Sequence, residues 1–478
     1  MKTIWDPLVK QQIEQIFRFN QTTFGTSKAK HIVESIYQHI NLLKKFPLMG
    51  TIEQNTTDWA PPYRYLVEKH CKIYYTVDKD VIYVALIWDT RQDPQKTMDN
   101  TQIMAGLYIH IPFCAKRCLY CDFFSNTEMK YKEPYLAAVI RELELRKEYT
   151  DGEPVETIYL GGGTPSQLEA KDFDRIFNAI HRLFDVSHCQ EITLEANPDD
   201  MTPEYVASLR SLPFNRVSMG VQSFKEEDLR LLNRRHNREQ ALRAVELCKE
   251  NGLSNISIDL IYGLPGQTVK EWEANLDTTI RLDIPHISAY HLIYEEGTAL
   301  YKLKEAGKIS PVEEEISVAL FTSLIERLTA NGYQQYEISN FARPGMLSRH
   351  NSSYWTGRKY LGIGPSAHSY NGISRQWNIS SLPAYLRGID SGSPDIEVEE
   401  LDLNTRYNDF IITGLRTMWG ISLVEIQRQF GKEKLAYCQK QAAPYLKQGL
   451  LIQKGETLLL SREGIFISDG IMSDLLWV

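Results

Sequence analysis

Cys114, Cys118 and Cys121 fall within eight residues of a 478-residue chain, in the stretch Cys-Ala-Lys-Arg-Cys-Leu-Tyr-Cys. Three thiolates at this spacing can wrap one corner of an iron–sulfur cube, each taking one iron of a [4Fe-4S] cluster. The fourth iron is then left without a protein ligand. Such an open iron can chelate the amino and carboxylate groups of S-adenosylmethionine (SAM), from which one electron cleaves the S–C5′ bond. A structural zinc site asks for four ligands; no fourth cysteine lies nearby, and His110 falls on the strand side of the loop. The expectation is a cluster.

Two further features belong to the same chemistry. Gly161-Gly162-Gly163-Thr164-Pro165-Ser166 follows a second strand-like run. Bare glycines let backbone approach a ligand closely, so amides and carbonyls around Gly162, Gly163 and Thr164 can bind the SAM amino group. A glycine triplet alone is more often a turn; its distance from the cysteines gives it weight. Glu195, in Leu-Glu-Ala-Asn-Pro at the end of a third strand-like run, can accept hydrogen bonds from ribose hydroxyls or an ammonium.

The elements that must position these residues alternate along the chain. Short apolar runs at 107–111, 157–160, 191–195, 216–220, 257–261 and 286–290 suit parallel strands. Helical patterns lie between them at 133–149, 171–184, 238–251 and 269–282. Six such units argue for a partial (β/α)6 barrel, in which chemistry gathers on the loops after the strands. Before the barrel, residues 1–98 carry helical patterns at 7–19 and 28–46, then strand-like runs at 63–68, 72–76 and 81–87 with Asp78-Lys79-Asp80 as a hairpin tip. A polar stretch at 89–102 reads as a linker. After the barrel come a mixed segment over 294–392 and a segment over 400–478. The latter has helices at 407–418 and 423–430, then a small hairpin and a last helix, which suggests a winged-helix-like module.

Composition bounds the rest. Hydrophobic residues make up 43% and aromatic residues 11%, enough for two to four packed domains. A net charge of −8 gives no global reason to expect nucleic-acid binding. No apolar run reaches the roughly 18 residues a membrane helix needs, which leaves only peripheral membrane contact open. Nothing at the N-terminus looks like a signal peptide. Seven cysteines, an odd count with three clustered, suit a reducing compartment, so a cytoplasmic protein is expected. Cys189, Cys248 and Cys438 stand alone and read as buried small hydrophobes.

Tyr108-Ile-His-Ile-Pro-Phe-Cys114 followed by Cys118-Leu-Tyr-Cys121-Asp-Phe resembles the radical SAM group that contains oxygen-independent coproporphyrinogen III oxidase. More closely, it resembles the HemW family of heme chaperones. The resemblance runs from about Met104, where a free-standing member would begin, to Val478. It implies that Tyr108 and Tyr120 in the cluster motif contribute to cofactor binding. It also implies that Gln222 in Gly-Val-Gln-Ser-Phe and Arg234 in Leu-Asn-Arg-Arg-His stand at positions for a second SAM. By the same analogy Asp259, in Asp-Leu-Ile-Tyr-Gly-Leu-Pro-Gly, lies near the adenosine. A surface salt bridge is the bland alternative for Arg234.

Two functions compete under this resemblance. One is an enzyme that decarboxylates two propionates of coproporphyrinogen III; the other is a protein that binds heme and passes it to an unidentified acceptor. The oxidase carries a further cysteine two residues beyond the third ligand, where this chain has Phe123, and its N-terminal segment has no counterpart here. His350-Asn-Ser-Ser-Tyr354-Trp355 looks like the histidine motif associated with heme in the chaperones. A neutral imidazole is a natural axial ligand, so His350 is the expected heme ligand; a hydrogen-bonded loop histidine is the plainer reading. For His368, in Gly-Pro-Ser-Ala-His-Ser, a structural turn is preferred. The chaperone reading is preferred over the enzyme, with cluster and SAM regulating or driving transfer.

The first hundred residues are similar to RelE/ParE-type toxins, on the strands around Tyr63-Arg64, 72–76 and 81–90 and the closing Arg91-Gln-Asp93-Pro94. This resemblance implies a small α+β fold, an antitoxin as partner, and Arg64 and Arg91 as candidates to contact mRNA. Acidic and basic residues are balanced there, so a vestigial toxin fold without ribonuclease activity is expected.

Overall fold

The computed structural model describes residues 1–5, 9, 12–13, 16–17, 26–52, 63–68, 71–78, 81–89 and 104–478. The chain divides into two units, Met1–Ile103 and Met104–Val478.

In the first unit five strands, β1 (Lys2–Trp5), β2 (Thr51–Ile52), β3 (Arg64–Glu68), β4 (Cys71–Asp78) and β5 (Val81–Asp89), form one sheet in the order β1-β5-β4-β3-β2. β4 and β5 pair antiparallel, as the sequence pattern predicts, and β1 adds in parallel to β5. No strand is expected at Lys2–Trp5 from sequence, because four residues are too few to show a period. Helix Thr26–Leu43 turns Ile32, Ile36, Ile40 and Leu43 onto Ile73, Tyr75, Ile82 and Val84. The i, i+4 spacing of these residues is what makes that apolar stripe. The helix expected at 7–19 falls largely outside the described residues, as do Lys79 and Asp80 of the hairpin tip and all of the Arg91–Pro94 motif.

The second unit is built on a sheet of twelve strands. Its centre holds the six expected strands: β6 (Ala105–Ile111), β7 (Val155–Gly162), β8 (Glu191–Ala196), β9 (Arg216–Gln222), β10 (Ile256–Tyr262) and β11 (His286–His291). All adjacent pairs among them are parallel. Successive side chains on a strand point to opposite faces. Leu107, Ile109, Ile158, Leu160, Leu194, Val217, Met219, Ile258 and Ile287 pack into the main core with the surrounding helices. The alternate positions therefore face the lumen: Tyr108 and His110, Thr157 and Tyr159, Thr193 and Glu195, Arg216 and Ser218, Ser257 and Asp259, His286 and Ser288.

Residues 294–400 extend this same sheet at both edges. β12 (Gln334–Glu337) and β13 (Asn340–Ala342) pair antiparallel beyond β11. On the other side β14 (Tyr360–Ile363) lies parallel to β6 and is followed by antiparallel β15 (His368–Tyr370), β16 (Ser374–Asn378) and β17 (Ile396–Glu400). The parallel run is thus seven strands long, and β14 escapes a sequence reading because Tyr-Leu-Gly-Ile is short and glycine-rich.

A buried ion pair fixes this edge. Arg146, on helix Lys132–Arg146, donates to Glu142 Oε1 at 3.0 Å, to the Gly362 carbonyl at 3.0 Å and to Ser369 Oγ at 3.0 Å. Asn378 and Tyr385 donate to the same Glu142 carboxylate at 2.7 and 2.8 Å.

The C-terminal part has helix Leu403–Leu415, β18 (Ile421–Ser422), helix Leu423–Lys447 and the hairpin β19 (Leu451–Lys454) and β20 (Thr457–Leu460), with sheet order β18-β20-β19. Gly431, with φ 88°, interrupts the long helix just after Phe430, where the sequence pattern ends it. Tyr407, Ile411, Ile426, Leu458 and Ile471 close a separate core, the helix-plus-wing arrangement expected. Among the described residues no helix is long and apolar enough to cross a membrane.

Removing one partner of a buried pair strands the other charge. Arg146→Leu is therefore expected to cost about 3–5 kcal/mol of stability, read as a lowered midpoint in urea unfolding of the full chain.

Candidate functional site

The loop after β6 carries the three cysteines to the C-terminal end of the barrel. There Cys114, Cys118 and Cys121 line one cleft of about 430 Å³ with Tyr120, Gly162, Gly163, Thr164, Glu195, Gln222, Arg234 and Asp259. Ten of the expected cofactor residues, the three thiols aside, reduce to eight in this cleft; Tyr108 and His350 lie elsewhere.

All seven cysteines are reduced. Burial pushes the Cys114 thiol up, and the Cys121 thiol to about 11. Thr164 Oγ1 lies 3.2 Å from Cys114 Sγ, and Arg234 Nη1 donates to Cys118 Sγ at 3.3 Å. The Thr164 hydrogen bond and the Arg234 charge both pull the Cys114 thiol back toward thiolate, the form that binds iron. Among the described residues no three His, Cys, Asp or Glu side chains converge on a point that could hold one metal ion. Three soft donors lining one cleft, with cationic Arg234 against one of them, fit a cluster.

The glycine loop owes its residues to close packing. Gly162 has φ +107°, and a Cβ there would lie 2.5 Å from the His110 ring; a Cβ on Gly163 would meet the Ile111 carbonyl at 2.8 Å. His110 itself is held by Nε2 at 2.9 Å from the Phe124 carbonyl, tying the cluster loop down, and burial lowers its pKa to about 4. Glu195 accepts from Tyr159 Oη at 2.6 Å and from the Gly162 amide at 3.2 Å. Burial raises its carboxyl to about 7 against the Tyr159 hydrogen bond, and raises Asp259 to about 6 against the charge of Arg216. Gln222 adopts φ +66°, rare for a residue with a side chain, at the irregular end of β9. Arg234 also donates through Nη2 to Asn197 Oδ1 at 2.6 Å and to the Gly220 carbonyl. Among the described residues it makes no salt bridge; its guanidinium points into the cleft.

The structure places two of the expected residues away from the cleft. Tyr108 does not line the cleft: its ring stacks on Tyr159 and His350, and its hydroxyl lies 3.2 Å from His110 Nδ1. His350 is fully buried at the opposite end of the barrel. Its Nδ1 lies 2.8 Å from Thr157 Oγ1, its Nε2 2.9 Å from Tyr354 Oη, and its ring stacks on Tyr159. The backbone amides of Arg349 and His350 both donate to Glu191 at 2.9 Å. With both ring nitrogens taken and no exposed edge, His350 closes the barrel floor and offers heme iron nothing in this conformation. His368 is exposed and stacks on Trp377.

Residues 108–278 match the family model of the radical SAM superfamily, 401–467 that of the HemN C-terminal domain, and 3–94 that of the ParE toxin of the type II parDE toxin–antitoxin system. The solved structure of coproporphyrinogen III oxidase (HemN) from Escherichia coli superposes with a TM-score of 0.69 at 26% identity, covering 78% of this chain and 90% of that one. Heme chaperone HemW of Bacillus subtilis is 32% identical over 378 residues, spanning 78% of this chain and 99% of the relative. The chain belongs to the HemW family of radical SAM proteins. Another HemW relative, from Escherichia coli, is 38% identical over 268 residues, 55% of this chain and 69% of that one.

One lumen residue of this HemW-family barrel escapes a motif search. Arg216 opens β9 and is 1% exposed, and its Nε, Nη1 and Nη2 all lack a hydrogen-bond partner among the described residues. The signal is an arginine at the start of an otherwise apolar and small run, Arg-Val-Ser-Met-Gly-Val.

Three outcomes follow from the geometry. Gly162→Ala sets a methyl into the His110 ring at a φ that side chains rarely adopt, and should weaken SAM binding at least ~10-fold, measured by equilibrium dialysis after anaerobic reconstitution. SAM affinity should fall as pH drops from 8 to 6, because Glu195 takes up a proton near 7 and loses the negative charge that holds a cationic ligand. His350→Ala should lower stability by about 1–3 kcal/mol, the usual cost of stranding buried hydrogen-bond partners, in thermal unfolding of the full chain.

Proposed function

We propose that this chain is a heme chaperone of the radical SAM type, acting in the cytoplasm, in which Cys114, Cys118 and Cys121 hold a [4Fe-4S] cluster. Bound there, the cluster supplies the electron that reductive SAM cleavage needs. Glu195 and Asp259 accept hydrogen bonds from the SAM ribose and ammonium, the Gly162–Gly163 backbone makes room for the amino acid end, and Gln222 and Arg234 complete the cleft. Heme is the cargo, bound and then passed to an acceptor protein. The match to HemW relatives along 99% of a relative's length supports this reading.

The observation that carries it is the rim of the cleft. Phe123, where the oxidase has a cysteine, is 63% exposed, and Ile293 across the same cleft is 64% exposed. Lys116 and Arg117 stand exposed on the cluster loop. Apolar side chains beside two cations suit a flat macrocycle with propionates better than they suit water. Asp122 and Glu295 also line the cleft, and their charge turns the propionates toward Lys116 and Arg117. Heme therefore lies over the mouth, not on His350.

Heme titration of the reconstituted full chain tests this. The Soret maximum of His350→Ala should match wild type, whereas Phe123→Ser combined with Lys116→Glu and Arg117→Glu should weaken heme binding ~10-fold or more. Conversion of coproporphyrinogen to protoporphyrinogen under reducing, anaerobic conditions would overturn the chaperone reading in favour of the oxidase.

The N-terminal unit is proposed to be a vestigial toxin fold whose partner, if retained, is an antitoxin. Arg64 supports this, since its Nη1 is engaged by the Leu48 and Gly50 carbonyls at 3.2 and 2.8 Å. Arg91 lies outside the described residues. Message cleavage on translating ribosomes by the full chain, abolished by Arg91→Ala, would overturn it.

A further inference from the structure

The barrel lumen is polar, and one charge in it has no hydrogen-bonding explanation. Arg216 pairs in register with Thr193 of β8 and is 1% exposed, yet none of its three guanidinium nitrogens meets an acceptor among the described residues. Thr193 Oγ1 beside it is buried and unpartnered as well. A guanidinium cannot escape burial by giving up its proton. Its charge must be answered by opposite charge nearby.

Two lumen carboxylates qualify. Glu195 and Asp259 are half-buried in the cleft wall on the strands either side of β9. Glu195 pairs in register with Ser218, and Asp259 accepts from Ser218 Oγ at 3.5 Å, two residues along the same face from Arg216. A third, Glu191, is committed to the Arg349 and His350 amides. We propose that Arg216 is the buried counter-ion that keeps Glu195 and Asp259 ionised beneath the cleft, a positioning residue that acts on SAM through these two acids. The inference rests on the reading of this cleft as the SAM site.

The remaining groups around the acids have defined parts. Glu195 faces the phenols of Tyr159 and Tyr108 and the charge of Asp259. Asp259 faces Ser218, Ser288, Tyr290 and, at longer range, Arg234. Arg216 lowers both acids, and it also disfavours protonation of His286 and His350 on the floor. Those imidazoles therefore add no second positive charge. Above about pH 7, two anions against one cation leave this part of the lumen net negative around a ligand that carries a sulfonium and an ammonium.

SAM binding to the anaerobically reconstituted full chain, measured from pH 6 to 9, tests the proposal. Arg216→Met should raise the pH at which binding is half-maximal by a unit or more, so that affinity drops about tenfold at pH 7 and returns near pH 9. Arg216→Lys, which keeps the charge, should stay within about threefold of wild type at pH 7. Equal weakening at all pH values, or no advantage of R216K over R216M, would overturn it. Thermal unfolding gives a second arm that needs no ligand. If Arg216 balances the acids, Arg216→Met with Asp259→Asn should melt closer to wild type than Arg216→Met alone. A double variant no more stable than the single one would mean the arginine serves packing. Failure of wild type to bind SAM would overturn the reading of the cleft and leave the melting comparison to judge the counter-ion.

Discussion

The structure depends on one alternation. Parallel strands covered on both faces are usually apolar throughout, because helices bury both sides of the sheet. In β6 to β11 only one face meets helices, and every second residue is polar, from Tyr108 and His110 to His286 and Ser288. The apolar set locks strands to helices; the polar set lines a lumen that water does not freely enter. Each lumen group must then find a partner or a compensating charge. Tyr159 with Glu195, Ser257 with His286 and Thr157 with His350 are direct solutions. The cleft at the mouth is where the remaining valences, thiols and carboxylates, are left for ligands.

This arrangement accounts for what could be read from the chain. The six central strands were legible because their apolar positions recur with period two and are punctuated by helices of ordinary length. The cysteine triad and the glycine loop were legible because each is local: the chemistry sits in one stretch of sequence. Cys114, Gly162, Glu195 and Asp259 all follow strands, so a single architectural rule brings them together. β14 and β1 were not legible, being four residues each and defined by their partners instead of their own pattern. Arg216 was also missed, since nothing local distinguishes a lumen arginine from a surface one.

His350 marks the limit of motif reasoning. Its neighbours in sequence, Tyr354 and Trp355, suit a heme site as well as they suit a packed corner, and composition does not separate the two. What separates them is the third dimension. The short helix Arg349–Trp355 docks on the N-terminal ends of β6, β7 and β8, the end away from the cysteines. Phe123 shows the reverse. In sequence it is one aromatic among many, and only its exposure beside the cleft gives it meaning.

The floor made by that helix has a consequence for traffic. With Glu191 gripping the helix amides and His350 filling the space above Gly106, the barrel is closed at this end among the described residues. Glu195 and Asp259 are reached through the cleft that Phe123 and Ile293 also line. On the proposed function, a large flat cargo lying across this cleft would act as a stopper. The guest beneath would then be exchanged only after the cargo had been handed on, coupling turnover of one ligand to delivery of the other.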